Sequence, residues 1–275
     1  MYEYRLQNHY RSRIIGIWQI KMKGRDKDML SGKVAIITGG GSGIGNECAR
    51  LFAEQHATVI IIGRNATKIE GSARVIDPEG KCVYGRQCDV SKSEEVDELT
   101  EWVKEKFGRI DILVNNAALF LPTDILRDEL QDEWGKMIDV NIKGMIRMIH
   151  RCVPFMVNNK GGCIVNLSSV DAFAGCLNYA GYSMTKGAVV SLTRGLALDL
   201  GRYNIRVNAV APGITDTPMT HERIEENKDK YLNRLVLKRM GKDTDIANAV
   251  LFLSSELSSY ITGEVINVNG GLQFV

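Results

Sequence analysis

Val34-Ala35-Ile36-Ile37-Thr38-Gly39-Gly40-Gly41-Ser42-Gly43-Ile44-Gly45 is the stretch that decides how this chain folds. Its first five residues form a short, largely β-branched apolar run, the pattern of a strand buried on both faces. Ala49, Phe52 and Ala53 follow at i, i+3, i+4 spacing, so the glycines mark the point where a strand hands over to a helix. Glycines let the backbone turn sharply and approach a phosphate closely, and the helix N-terminus offers free N–H groups to an anion. Two familiar spacings fail here. G-x-G-x-x-G starting at Gly41 needs a third glycine where Asn46 stands, and a P-loop from Gly40 to Gly45 needs lysine at the same place. The spacing present is T-G-x-x-x-G-x-G.

Outward from this unit the pattern repeats. Val59–Ile62, the weaker run Lys81–Cys88, Ile112–Val114, Cys163–Leu167, Arg206–Val210 and Val265–Val268 read as further strands, with helical sequence between them. Ser91-Lys92-Ser93-Glu94 reads as a capping box that opens a helix carrying Val96, Leu99 and Val103 on one face. Seven strands alternating with helices, with no Pro/Gly/Ser linker, predict an α/β fold with one doubly wound parallel sheet and helices on both faces.

The whole-chain figures agree with a globular protein. The chain has 275 residues, 44% hydrophobic and 25% charged, with a formal charge of +2. That excludes a disordered chain and gives no global footprint for nucleic acid. No apolar run approaches the ~20 residues of a membrane span. Cys48, Cys82, Cys88, Cys152, Cys163 and Cys176 form no CxxC pair and the four histidines no HxH or HExxH, so neither a disulfide framework nor a metal site is expected. Cysteines serving as small core residues in a reducing cytoplasm is the reading that fits.

Residues 1–29 differ from the rest. Residues 1–30 hold seven bases against three acids, +4 in all, around the apolar patch Ile14–Trp18. A targeting peptide and a basic amphipathic contact with a membrane or partner both compete for this segment. Met29-Leu30-Ser31-Gly32-Lys33 runs directly into the first strand, which favours a loosely ordered extension ahead of a dinucleotide-binding catalytic domain at 30–275, with a natural start at Met22 or Met29.

The second chemical signal is Tyr182-Ser183-Met184-Thr185-Lys186. On a helix, i and i+4 share a face with Cβ atoms about 5–6 Å apart, so a phenol and an ammonium can serve one site. A phenol near pKa ~10 is a poor base at neutral pH, and an adjacent cation favours its phenolate. Tyr182 could then give a proton to a carbonyl or take one from an alcohol.

With these residues in place, the chain resembles the short-chain dehydrogenase/reductase family in its single-domain form, from about Leu30 to the C-terminus. The motifs that carry the likeness occur in family order: Thr38–Gly45, Asp89-Val90, Asn115-Asn116-Ala117-Ala118, Asn141, Asn166-Leu167-Ser168-Ser169, Tyr182 with Lys186, and Pro212-Gly213. The resemblance implies a Rossmann-type fold and a homotetramer or homodimer. It implies Tyr182 as catalytic acid/base, and Lys186 as the residue that binds the nicotinamide ribose and lowers the Tyr182 pKa. The family serine lies thirteen residues before the tyrosine, which selects Ser169 over Ser168, and it would hold the substrate oxygen. Asn141 matches the asparagine that positions a relay water. Gly39, Ser42, Gly43, Ile44 and Gly45 would meet the pyrophosphate, Asp89 and Val90 the adenine, and Asn116 and Ala117 the ribose side. Pro212, Gly213, Thr215 and Thr217 would meet the nicotinamide. Ala118 and Thr215 depart from the family pattern, which usually has glycine and isoleucine there.

Charge argues the choice of cofactor. An NAD enzyme needs an acid about 20 residues past the glycines to bind the ribose 2′-OH. Here the second strand ends in Gly63-Arg64-Asn65, with no acid and with a guanidinium suited to a 2′-phosphate. NADP(H) is therefore expected, with NAD(H) the alternative. The expected reaction is hydride transfer between NADP(H) and a small carbonyl or secondary alcohol. A non-catalytic binding protein on this fold would have lost part of the Asn-Ser-Tyr-Lys set, which is complete here. Leu119, Phe120, Asp171, Phe173, Tyr179 and the stretch Pro218–Met240 are the candidates for the substrate pocket.

Overall fold

A computed structural model of the chain describes residues 28–274, so most of the basic extension lies outside the described residues. In chain order the main elements are β1 (Val34–Thr38), α1 (Gly43–Glu54), β2 (Thr58–Gly63), α2 (Ala66–Ile76), β3 (Val83–Gln87), α3 (Ser93–Phe107) and β4 (Ile112–Asn115). There follow α4 (Met145–Asn158), β5 (Gly162–Leu167), α5 (Ala180–Leu200), β6 (Ile205–Pro212), β7 (Thr215–Asp216), α6 (His221–Glu226), α7 (Lys228–Arg234), β8 (Gly241–Lys242), α8 (Asp243–Ser254) and β9 (Val265–Val268). Seven strands form one sheet in the order β3-β2-β1-β4-β5-β6-β9, and every pairing in it is parallel. This is the doubly wound arrangement read from the sequence.

The unbroken apolar strands have a simple cause. Alternate residues of β1 point to opposite faces of the sheet, and both faces are covered. Ile37 packs with Phe52 of α1 and Val250 of α8, whereas Ile36 packs with Leu99 of α3 and Met148 of α4. Cys48, Cys88, Cys152 and Cys163 are buried among these apolar residues, as small core side chains.

One buried charge pins the start of the central strands. Asp111, 4% exposed, accepts the Val34 N–H at 2.9 Å and two hydrogen bonds from the Arg109 guanidinium at 2.6 and 2.9 Å. The pair fixes β1 and β4 side by side, with the order of the sheet reversing between them. At such a reversal the loops at the carboxyl ends of the strands diverge and leave a crevice.

Two details differ from the sequence reading. The capping box at Ser91 is not made: α3 begins at Ser93, because the Asp89 carboxylate takes both the Ser91 N–H (2.9 Å) and hydroxyl (2.7 Å). Glu95 then accepts the Asp89 N–H at 2.8 Å. The sequence reading also contained no β7 or β8, a two-residue parallel pair in which Thr215 aligns with Gly241.

The first described residues belong to the core. Leu30 is buried and its N–H reaches the Gln55 carbonyl at 3.2 Å, while the Met29 N–H reaches Gln55 Oε1 at 3.2 Å. A chain beginning at Met29 keeps these contacts and is expected to retain full activity and thermal stability. Comparing kcat/KM and Tm with those of the full chain checks this, and a large drop in either would give the extension a role.

Candidate active site

A cleft of about 1030 Å³ opens at the carboxyl ends of β1, β4, β5 and β6. Two groups of residues meet in it, one suited to a dinucleotide and one to proton transfer.

The proton-handling group is built by β5 and α5. β5 ends at Leu167, and Ser168 turns inward to donate its hydroxyl to the Lys186 carbonyl at 3.0 Å. Ser169 is left facing the cleft, with its oxygen accepting the Asp171 N–H at 3.1 Å. Both serines are buried, but the Ser168 hydroxyl is spent on the Lys186 carbonyl, and Ser169 is the one beside the tyrosine. Its hydroxyl lies near enough to the Tyr182 phenol to favour the ionised form.

Tyr182 and Lys186 lie one turn apart on α5, with Lys186 Nζ 5.5 Å from the tyrosine ring centroid. The ammonium is buried and donates to the Leu167 carbonyl at 2.7 Å. Burial disfavours its charge and brings its pKa down to about 8. The net shift of Tyr182 is upward rather than the expected lowering. Burial, and then the nearby Asp171 carboxyl, push the phenol well above its usual range, with the Ser169 hydroxyl opposing them. Tyr182 therefore holds its proton at neutral pH, the form that donates to a carbonyl oxygen.

Asn141 lies behind this group, in the π-helical segment Ile138–Gly144 that leads into α4. Its side chain is 1% exposed and fully engaged. The amide oxygen accepts the Leu119 N–H at 2.7 Å, and the amide nitrogen donates to the Leu119 carbonyl at 2.9 Å and to Thr185 Oγ1 at 3.1 Å. It ties the Leu119 backbone to Thr185 of α5 and does not itself line the cleft.

The dinucleotide-binding group centres on the glycine turn. Gly39 has φ +66°, a left-handed backbone that side chains disfavour. Gly45, inside α1, lies so close to the turn that a Cβ would stand 2.5 Å from both Asn116 Nδ2 and the Gly39 carbonyl. Asn116 braces the turn, donating to the Thr38 and Gly39 carbonyls at 2.9 and 3.2 Å. Thr38 Oγ1 in turn accepts the Asn116 and Ala117 N–H groups, both at 2.9 Å. The result is an open backbone cradle at a helix N-terminus, which fits a pyrophosphate.

The other expected cofactor residues lie along the same cleft. Ser42, Gly43, Ile44, Arg64, Asp89, Val90, Ala117, Pro212, Gly213, Thr215 and Thr217 all line it, whereas Gly45 supports the turn from behind. Of the substrate candidates, Leu119, Phe120, Asp171, Tyr179 and part of the Pro218–Met240 stretch line it. Phe173 does not; its turn of helix, Asp171–Ala174, sends it elsewhere.

Two useful residues escaped sequence reasoning. Lys68 on α2 lines the cleft with Arg64 and donates to Ser42 Oγ at 2.9 Å, so a second cation stands on this wall. Its position one turn after the Asn65 cap of α2 was a readable signal. Thr220, covered from the sequence only within the Pro218–Met240 stretch, braces β7: its hydroxyl lies 2.6 Å from the Thr215 carbonyl and 2.9 Å from Thr217 Oγ1.

Known proteins resemble this chain over most of its length. Residues 39–273 match the family model described as Enoyl-(Acyl carrier protein) reductase. The chain is 38% identical over 243 residues to the 3-oxoacyl-[acyl-carrier-protein] reductase FabG of Thermotoga maritima, covering 88% of this chain and 98% of that protein. It is 39% identical over 244 residues to the FabG of Aquifex aeolicus, with the same coverages of 88% and 98%. Among solved structures, it resembles a short-chain dehydrogenase/reductase (glucose/ribitol dehydrogenase) from Brucella melitensis, with TM-score 0.84 and 32% identity over 90% of this chain and all of that one. A short-chain type dehydrogenase/reductase from Mycobacterium marinum superposes with TM-score 0.86 and 30% identity, over 91% of this chain and 99% of that one. Sequence, sheet order and site geometry converge: this chain belongs to the short-chain dehydrogenase/reductase family of oxidoreductases.

Proposed function

We propose that this protein reduces a carbonyl compound, or oxidises the matching secondary alcohol, with NADP(H) and with Tyr182 as the proton donor or acceptor. The observation that carries this reading is the meeting of Ser169, Tyr182 and Lys186 with the glycine cradle in one cleft. When bound, NADP(H) supplies or accepts the hydride. Ser169 and Tyr182 hydrogen-bond the substrate oxygen, so that charge developing there meets donors already in place. Tyr182 passes its proton to that oxygen. Lys186, fixed by the Leu167 carbonyl, keeps a positive charge beside the phenol at neutral pH and stabilises the anion left when the proton departs. Asn141 keeps Leu119 and the cleft wall in register with α5.

The preference for NADP(H) rests on charge. β2 ends at Gly63, and the next residues are Arg64 and Asn65, with no carboxylate to bind a free 2′-hydroxyl. Arg64 and Lys68 line the cleft there. Arg64→Ala is expected to weaken NADPH binding by about tenfold, as loss of a hydrogen bond to a charged group does, and NADH binding far less. Fluorescence titration with both cofactors checks it, and equal losses would favour NAD(H).

The reaction is tested by assaying ketones and secondary alcohols, including 3-oxoacyl thioesters like those of the named relatives, with NADPH and NADH. Failure of every carbonyl with both cofactors would remove the reading. Ile146 on α4 and Met184 and Leu198 on α5 keep apolar side chains exposed, which supports a homodimer or homotetramer. No described helix is long and apolar enough to cross a membrane, and a cytoplasmic enzyme is our reading.

A further inference from the structure

Arg223 has no task in the chemistry above. It stands on α6, the first helix of the segment that covers the cleft, and lines the cleft together with Ser169 and Tyr182. Its guanidinium carbon lies 4.7 Å from the ring centroid of Tyr179 and 5.4 Å from that of Phe120. Those two rings are stacked, 4.2 Å apart and 7° from parallel, and Phe120 meets the Tyr182 ring edge-on at 4.7 Å. Arg223 therefore sits two ring contacts from the phenol that handles the proton.

Lys230 and Arg234 also line the cleft without an ion pair among the described residues, but both are exposed, whereas Arg223 is half-buried, and three other cations of the covering segment are paired. Lys228 pairs with Glu225 at 3.2 Å, Arg239 with Asp245 at 2.6 Å, and His221 with Asp216 at 2.9 Å. Arg223 forms no ion pair among the described residues. Its side-chain hydrogen bond is a weak one, Nη2 donating to the Cys176 sulfur at 3.4 Å. Asp171 also faces the cleft and feels the fields of both Arg223 and Arg234, without closing a pair with either. Arg223, Arg234 and Lys230 stand against Asp171, Glu222 and Glu226 at this end of the cleft, and of the three cations only Arg223 is half-buried.

A guanidinium laid against aromatic faces loses little freedom when it binds, and its fork of donors matches a carboxylate. A half-buried arginine without an acid also carries a desolvation cost that an incoming anion would relieve. We propose that Arg223 binds a carboxylate on the substrate, so that the natural substrates are oxo acids, or the matching hydroxy acids, with the reacting carbonyl at Ser169 and Tyr182. The proposal rests on the carbonyl-reductase reading and narrows it. The occupant is a carboxylate and not the phosphate of a thioester's pantetheine arm, because that phosphate lies too many bonds from the thioester carbonyl to sit this near Tyr182.

The test compares short straight-chain oxo acids with their methyl esters, using NADPH, for the wild type, Arg223→Gln and Arg223→Lys. The wild type is expected to prefer acid over ester in kcat/KM by at least about tenfold, the size of one charged hydrogen-bonded contact. Arg223→Gln should collapse that ratio about tenfold or more, chiefly through KM for the acid, and Arg223→Lys should restore part of it. Thermal unfolding confirms that each variant is folded. A wild type that reduces esters as well as acids, or better, overturns the proposal and leaves carbonyl reduction standing. So does an Arg223→Gln variant that loses acid and ester alike, which would make the guanidinium a prop for the ring stack. A wild type that binds NADPH but reduces neither acid nor ester, nor any other ketone, overturns both readings.

Discussion

Tyr182→Phe is expected to lower kcat by about 10²- to 10⁴-fold while leaving NADPH affinity within a few-fold of the wild type, the range that a positioned general acid supplies. The substitution deletes one hydroxyl and keeps the ring, which still meets Phe120 edge-on. The glycine cradle, its Asn116 brace and Lys186 remain as they were. The loss therefore falls on proton transfer rather than on binding. Burial and the Asp171 carboxyl hold the Tyr182 proton on at neutral pH, so no other group in the cleft is as well placed to protonate a carbonyl oxygen. Steady-state oxidation of NADPH beside a binding titration separates the two effects. A fall in kcat of less than tenfold would move the proton to a different donor.

Asp111→Ala is expected to cost about 2–4 kcal/mol of stability, although it lies at the opposite end of the strands from the cleft. It leaves the buried Val34 N–H without an acceptor, which alone costs about 1–3 kcal/mol, and it strips the Arg109 guanidinium of its partner. Arg109 is half in solvent, so the full penalty of a broken buried pair, about 3–5 kcal/mol, is not reached. For a chain of this size the melting point should fall by about 5–15 °C. Asp111→Asn keeps an acceptor for Val34 and should lose clearly less. Equal, small effects for both would mean that the β1 and β4 starts are held by apolar packing alone.

The sheet could be read from the sequence because its strands are buried on both faces. Each is a short apolar run, and a run such as Val59–Ile62 admits few other readings between helical stretches. Ser169, Tyr182 and Lys186 were legible because their spacing along the chain is itself the geometry: one helical turn in α5 and one return from β5. What stayed hidden depends on residues distant in sequence. Lys68 meets Ser42 only once α2 is laid beside the glycine turn. Arg223 sits in a charged run that reads as a solvated helix, and only the Phe120–Tyr179 stack, assembled from two separate loops, gives it a seat. The Ser91 capping box failed for a local reason. Asp89, two residues away, already accepts the Ser91 N–H that the box would give to Glu94.

Ser168 donates to the Lys186 carbonyl and Lys186 returns a bond to the Leu167 carbonyl, so β5 and α5 are latched in both directions. Neither can drift without the other. The covering segment between β7 and β8 is held instead by the two-residue pairing of Thr215 with Gly241 and Asp216 with Lys242 at its base and by the Leu237 N–H on the Gly270 carbonyl. The protein is thus divided between a part that must not change and a part that can. Mutations between Pro218 and Met240 can rewrite which molecules are admitted while the proton-transfer geometry stays intact, and a new specificity can arise here without the chemistry having to be discovered again.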